Sequence, residues 1–151
     1  MSIRENNICK LTEEVLANYN SIKAEIKNIE LDIEEIESEY EGVSAVSFEE
    51  KTGKTNKFNS NVENEILKKE KLINKLKREK ASKIRLITKI DNSLEVLDET
   101  ERKVIEYRLI KGYSWIRVST LLNINNDYCG KIKKKAINKI SNKIWVKEQY
   151  I

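Results

Sequence analysis

The chain has 151 residues, of which 39% are hydrophobic and 36% are charged, and it contains neither proline nor histidine. This composition allows long helices but cannot fill a large globular core, so we expect an all-α protein. No run of about 18 apolar residues and no signal-peptide pattern is present, which predicts a cytoplasmic protein without a membrane partner. Because the sequence has no CxxC spacing, Cys9 and Cys129 predict free thiols and no metal site.

Residues 8–41 predict a long acidic helix with one apolar seam. From Val15 onward, apolar side chains recur at alternating steps of four and three residues, which is the heptad pattern of a coiled coil. The seam residues are Ile8, Val15, Tyr19, Ile22, Ile26, Ile29, Ile33, Ile36 and Tyr40. Residues 1–50 carry thirteen Asp or Glu against four Lys or Arg, so this helix is negatively charged.

Residues 42–61 are rich in Gly, Ser, Thr and Asn and lack helical periodicity, which predicts a loop.

A second helix is predicted over residues 62–97. Its seam residues are Ile66, Ile73, Leu76, Ile87, Ile90, Leu94 and Leu97, and Lys69, Lys80 and Lys83 interrupt them. These lysines predict looser packing in the middle of the helix.

Residues 1–97 therefore predict a helical hairpin, because two helices of similar length and opposite charge joined by a loop favour an antiparallel pair. The pairing is possible within one chain or by exchange of helices between two chains. One hairpin leaves apolar surface on its open side, which predicts a homodimer in which a second hairpin covers that surface.

Residues 98–151 predict a second domain of three short helices. Its first helix starts in an acidic turn, where carboxylates favour a helix N-terminus, and ends at Gly112. We expect Ser114 to cap the second helix, and Asn123, which tolerates a left-handed backbone, to end it. The side chains expected to face inward from this second helix are Ile116 or Val118, Leu121 and Leu122.

The third helix is predicted to begin at Asn125, another favourable N-cap residue. Its inward face is expected to consist of Tyr128 or Cys129, Ile132, Ala136, Ile137 and Ile140, with lysines between them. Two short helices joined by a turn of three to four residues, the second of them basic, form the helix-turn-helix arrangement. Trp145 beyond them is expected to pack on this domain or on the base of the hairpin.

A helix-turn-helix reads double-stranded DNA because its second helix fits the major groove, where its N-terminal residues reach the base edges. The candidate base-reading residues are Asn126, Asp127, Tyr128, Gly130 and Lys131. Other side chains neutralise phosphates, which supplies affinity without sequence information. The candidate contacts to the DNA backbone are Ser114, Trp115, Asn125, Lys133, Lys134 and Lys135.

The segment from residue 97 to residue 140 resembles region four of bacterial sigma factors, the domain that reads the upstream promoter element. In its first helix and loop the matching residues are Glu101, Arg102, Val104, Ile105, Arg108 and Gly112. In its helix-turn-helix they are Ser114, Ile116, Leu121, Leu122, Ile124, Ala136, Ile137, Asn138, Lys139 and Ile140. This chain departs from the family in having Ser119 in place of a small Ala, Asn123 in place of Gly, and Gly130 inside the recognition helix.

With a helical hairpin in place of the region that binds core polymerase, the whole chain resembles phage late-gene activators of the RinA and ArpU type. The resemblance implies a sequence-specific transcriptional regulator that binds promoter DNA, with the hairpin used to oligomerise or to contact RNA polymerase. One alternative is a phage DNA-packaging adaptor similar to a small terminase subunit, although in that class the DNA-binding head more often precedes the oligomerising helices.

A second alternative is a coiled-coil interaction protein whose lysines form only a solvated face. Catalysis finds no support, because the sequence has no histidine, no glycine-rich phosphate loop and no nucleophile motif. The sequence therefore predicts a protein that is not an enzyme and that requires no cofactor.

Overall fold

The computed structural model describes residues 2–47 and 56–151, with side chains at residues 2–39 and 61–151. Within these ranges every regular element is a helix, which confirms the all-α expectation. The helices are α1 (Ile3–Ala17), α2 (Tyr19–Ser47), α3 (Asn56–Leu94), α4 (Glu99–Ile105), α5 (Trp115–Leu122) and α6 (Asn126–Ile144). A π-helical turn, Glu106–Ile110, continues α4, and a short 3-10 helix, Lys147–Gln149, follows α6.

The first predicted helix, 8–41, is divided at Asn18 into α1 and α2. α1 begins with a capping box, in which the Ser2 hydroxyl accepts from the Glu5 N–H and the Glu5 carboxylate accepts from the Ser2 N–H. At Asn18 the backbone leaves the helical region, with φ −94° and ψ 3°. Asn competes with the helix for backbone hydrogen bonds, so the prediction of one continuous helix was wrong at this position.

The loop predicted over residues 42–61 is helical at both of its ends. α2 continues to Ser47 and α3 begins at Asn56, while residues 48–55 lie outside the described part of the chain. Ser, Thr and Asn each lower helix propensity by less than about 0.7 kcal/mol relative to Ala, and the segment has no proline. Such residues weaken a long helix without ending it, which explains why the loop prediction was too long.

The chain divides into two compact units, residues 24–84 and residues 1–23 with 85–151. This division differs from the predicted boundary at residue 97. The reason lies in the core of the second of these units, where Leu16 of α1 and Ile90 of α3 share one buried cluster with α6. The ends of the predicted hairpin therefore belong to the same compact unit as the predicted helix-turn-helix.

In the unit of residues 24–84, α2 and α3 run antiparallel and carry their seam residues at half-buried positions. Ile33 is the most buried of these, at 7% exposed. The three seam lysines each meet a glutamate of α2: Lys69 lies 3.5 Å from Glu39, Lys80 3.0 Å from Glu30, and Lys83 2.9 Å from Glu25. Because the lysines are about 30% exposed and the glutamates about half exposed, each pair contributes at most about 1 kcal/mol, and the pairs fix the direction of the helices more than their stability.

The unit of residues 1–23 and 85–151 has the larger apolar core. Its buried members are Leu16, Ile90, Leu97, Ile105, Ala136, Ile137, Ile140 and Ile144. Trp145 packs against this core and its indole N–H donates to the Thr12 hydroxyl at 3.1 Å, so the tail packs as predicted. No helix in the described ranges combines the length and apolar character that crossing a membrane requires.

Candidate nucleic-acid interface

Both ends of the helix that precedes the candidate interface, α4 with its π-helical continuation, are determined by specific residues. Asp98 caps α4 by accepting from the Glu101 N–H at 2.8 Å, and this hydrogen bond lowers the pKa of the Asp98 carboxyl. The π-helical turn that follows α4 ends before Gly112, which has φ +73°. Only glycine adopts this backbone without strain, so the predicted end at Gly112 is confirmed.

α5 has the predicted caps. The Ser114 hydroxyl accepts from the Arg117 N–H at 3.2 Å, and Asn123 has the left-handed conformation, with φ 54° and ψ 45°. The Ser119 hydroxyl donates to the Ile124 carbonyl, and the Ile124 N–H donates to the Ser119 carbonyl at 3.1 Å. Ser119, one of the departures from the sigma pattern, therefore ties the end of α5 to the turn.

The inward face of α5 was only partly predicted. Val118 is fully buried, but Ile116 is 72% exposed and Leu121 is 53% exposed. An eight-residue helix offers two overlapping apolar stripes, and the packing of its neighbours selects the one that contains Val118. The prediction that Leu121 faces inward was wrong.

α6 begins at the predicted N-cap, where the Asn125 side chain accepts from the Asp127 N–H at 2.9 Å. Cys129 is fully buried while Tyr128 is 58% exposed, which decides between the two predicted inward residues. Burial also raises the pKa of the Cys129 thiol. The rest of the predicted inward face is confirmed, since Ile132, Ala136, Ile137 and Ile140 are all buried.

The opposite side of α6 is open and positively charged. Its residues line one shallow surface, which we call the basic face: Lys131, Lys134, Lys135, Asn138 and Lys139. Three of the predicted base-reading residues, Asn126, Asp127 and Tyr128, are exposed in the first turn of the same helix. Gly130 is half-buried, and it lines a separate groove together with Asn6, Cys9 and Glu13 of α1.

Two lysines of α6 are engaged by carboxylates. Lys133 lies 3.1 Å from Glu13 of α1 and is half-buried, in a groove that it lines together with Lys134 and Asn138 of the basic face. Lys139 lies 2.7 Å from Glu101, whose side chain is only 4% exposed. The structure thus brings the predicted backbone contacts Lys134 and Lys135 together on the open face but places Lys133 with α1.

The packing of α1 against α6 was not predicted from the sequence. Thr12 of α1 is fully buried and donates to the Ile8 carbonyl at 2.8 Å, with the Ser141 hydroxyl 3.0 Å away. The Cys9 thiol donates to Asn138 Oδ1 at 3.3 Å. The only sequence signal for this contact is a small polar residue, Thr12, among larger apolar ones, and such a residue is equally common on solvated faces.

A group of aromatic and cationic side chains surrounds the start of α5. We call it the aromatic-basic cluster, and its members are Tyr107, Arg108, Lys111, Tyr113, Trp115 and Arg117. Arg108 lies 4.8 Å from the centre of the Trp115 ring, and Lys133 of α6 lies 5.9 Å from it. Trp115 was predicted to contact DNA, whereas the other members were not, although aromatic and basic residues alternate in this segment.

The described residues form an all-α fold with an α-turn-α element, and they contain no group of three or more Cys, Asp or Glu able to hold a metal ion. A family model matches residues 9–142, most of the chain, from the middle of α1 into the last turn of α6. The chain therefore belongs to the family described as "Protein of unknown function (DUF722)". No curated protein and no solved structure matches it significantly.

Proposed function

We propose that this protein is a sequence-specific regulator of transcription that binds double-stranded promoter DNA through α5, the turn and α6, as a phage or prophage late-gene activator. The observation that carries the proposal is the open basic face of α6, which begins directly behind a capped and tightly bonded turn. A rigid turn sets the angle at which a second helix enters the major groove. The resemblance of residues 97–140 to sigma region four favours the same function.

The two ends of α6 have different roles in this proposal. Asn126, Asp127, Tyr128 and Lys131 read base edges from the N-terminal turns, where a recognition helix reaches deepest into the groove. Lys134 and Lys135 neutralise phosphates and supply affinity. The half-buried seams of α2 and α3 support the further proposal that the helical pair mediates dimerisation or contacts RNA polymerase.

The decisive experiment starts with selection of bound duplexes from a random pool, followed by titration of a selected duplex at several salt concentrations. Lys134→Ala and Lys135→Ala should each flatten the log-log salt dependence by about 0.9, because each lysine is proposed to neutralise one phosphate. Equivalently, the ratio of wild-type to variant affinity should shrink about threefold to fourfold between 50 and 200 mM salt.

Lys143→Ala is the matched control. Lys143 is exposed in the last turn of the same helix, nine residues or about 13 Å beyond Lys134 along the helix axis, and it does not line the basic face. Its removal should leave the slope unchanged. A slope insensitive to all three changes would favour the coiled-coil interaction protein over a DNA-binding regulator.

Base reading is tested separately from affinity. Changing Asn126 or Tyr128 to Ala and repeating the selection should alter the preferred sequence at one or two positions. Uniformly weaker binding to every sequence would instead show that these residues contact the DNA backbone.

Sedimentation of the protein at tens of micromolar tests the proposed dimer, and a monomer at that concentration would contradict it.

A further inference from the structure

The aromatic-basic cluster is held together by stacking rather than by ion pairs. The Arg117 guanidinium lies 3.8 Å from the centre of the Tyr113 ring, and the Tyr113 and Tyr107 rings are stacked with centres 5.8 Å apart. The Lys111 ammonium lies 5.3 Å from the centre of the Tyr107 ring and 5.9 Å from the centre of the Tyr113 ring. The cations and rings thus form one continuous surface from the end of the π-helical turn to the first turn of α5.

The positive charge of this surface is only partly neutralised. Lys111 has a carboxylate partner, Glu106, at 3.7 Å, and Arg108 donates to the Tyr113 carbonyl at 2.9 Å. Within the described part of the chain, Arg117 pairs with no carboxylate, and its side chain is exposed. An arginine that stacks through its face keeps the N–H groups on its edge free, and stacking restricts the side chain in advance of binding.

A phosphate is the ligand that this arrangement suits best. A guanidinium fork donates two parallel hydrogen bonds to a phosphate, and a stacked arginine loses less conformational entropy when it does so. The cluster adjoins the candidate DNA interface, because the Trp115 ring lies 5.9 Å from Lys133, and Lys133 lines a groove together with Lys134 of the basic face. A DNA strand is therefore favoured over an acidic protein segment as the source of the anion.

We propose that Arg117, stacked on Tyr113, binds a phosphate of the DNA backbone beside the sequence that α6 reads, and that Lys111 supports it. This inference rests on the proposed function and adds an anchoring site that the sequence analysis did not assign. The site sets affinity and position without contributing to sequence preference, because phosphate contacts are the same for every base pair.

The test compares Arg117→Ala with Lys103→Ala in the full-length protein. Lys103 is another half-exposed cation of the same unit, but its partner is Glu99, four residues earlier in α4. Arg117→Ala should flatten the salt slope by about 0.9 and should weaken binding to selected and unselected duplexes by the same factor. Lys103→Ala should match the wild type on both duplexes.

Arg117→Lys separates charge from stacking and covers the case in which the alanine variant folds poorly. It should keep the wild-type salt slope but bind several-fold more weakly, because lysine retains the charge and loses the planar fork. Melting followed by tryptophan fluorescence confirms that each variant is folded at the assay temperature.

The outcomes distinguish this inference from the proposed function. If Lys134→Ala weakens binding while Arg117→Ala keeps the wild-type slope and affinity, the DNA-binding function stands and the phosphate site is refuted. The phosphate site is also refuted if Arg117→Lys flattens the salt dependence as much as Arg117→Ala does. Lysine keeps the positive charge, so the change in slope would then not come from a lost charge. If the wild type binds no duplex while an acidic peptide binds through Arg117, both proposals fail and the cluster is a protein-docking surface.

Discussion

The packing of α1 into the core of the predicted DNA-binding unit is the structural feature with the clearest stability consequence. Leu16 is fully buried, and it shares its cluster with Ile137, Ile140 and Ile144 of α6. Truncating a fully buried leucine to alanine removes its transfer free energy and leaves a cavity, at a cost of about 3 kcal/mol. We therefore expect Leu16→Ala to lower the free energy of unfolding of this unit by about that amount.

Urea unfolding followed by tryptophan fluorescence measures this effect directly. Both tryptophans, Trp115 and Trp145, belong to the unit of residues 1–23 and 85–151, so the signal reports on that unit. With a denaturant slope of about 1.5 kcal/mol per molar urea, a loss of about 3 kcal/mol lowers the midpoint by about 2 M.

Leu11→Ala is the control for this experiment. Leu11 lies on the same helix but is 42% exposed, so the same substitution should cost less than about 1 kcal/mol. If the two variants had equal midpoints, α1 would not be part of this core and the division of the chain into units would be wrong. A boundary at residue 97, as the sequence predicted, would then be restored.

Three further variants test single side chains. A Cβ at Gly130 meets no atom within 4 Å and Gly130 lines the groove beside α1, so Gly130→Ala should stabilise the unit by up to about 1 kcal/mol and leave DNA binding unchanged; weaker binding would show that DNA approaches this backbone closely. Burial and, secondarily, a hydrogen bond to Asp91 raise the pKa of Tyr19 to about 12 from 10.0, so folding favours the protonated phenol. Stability should accordingly fall between pH 10 and pH 12, and urea midpoints of Tyr19→Phe should fall less over that range; equal falls would contradict this linkage. Glu13→Gln removes the partner of Lys133 and should steepen the salt dependence of DNA binding, whereas an unchanged slope would place Lys133 out of reach of a phosphate.

The elements that the sequence predicted well are those that depend on neighbouring residues. Ser114, Asn123 and Asn125 act on backbone groups no more than four residues away, so their roles follow from residue type and order alone. The inward face of α6 was predictable for a related reason, because a 19-residue helix repeats its apolar spacing often enough to define one stripe.

What the sequence could not predict depends on contacts distant along the chain. Thr12 lies against Ser141, 129 residues later, and no local pattern distinguishes such a contact from a solvated position. The stacking of Tyr113 on Tyr107 was also not predicted, because it depends on the positive-φ turn at Gly112, which lies between the two rings in the sequence. Side-chain chemistry was readable in these segments, whereas their partners were not.

The structure also changes how the charge of the chain should be interpreted. Residues 51–151 carry 25 Lys or Arg against 12 Asp or Glu, so the positive charge of the chain lies in this part of the sequence. Four of the lysines of α3 pair with glutamates of α2 at 2.9 to 3.5 Å. Because paired charges offer little attraction to a distant polyanion, these four lysines add less to the proposed DNA binding than their number suggests. Lys131, Lys134, Lys135 and Arg117 have no carboxylate partner in the described part of the chain. Localised charge of this kind favours an interface with one orientation on the duplex, which is what reading a sequence requires, over diffuse attraction along the length of α3.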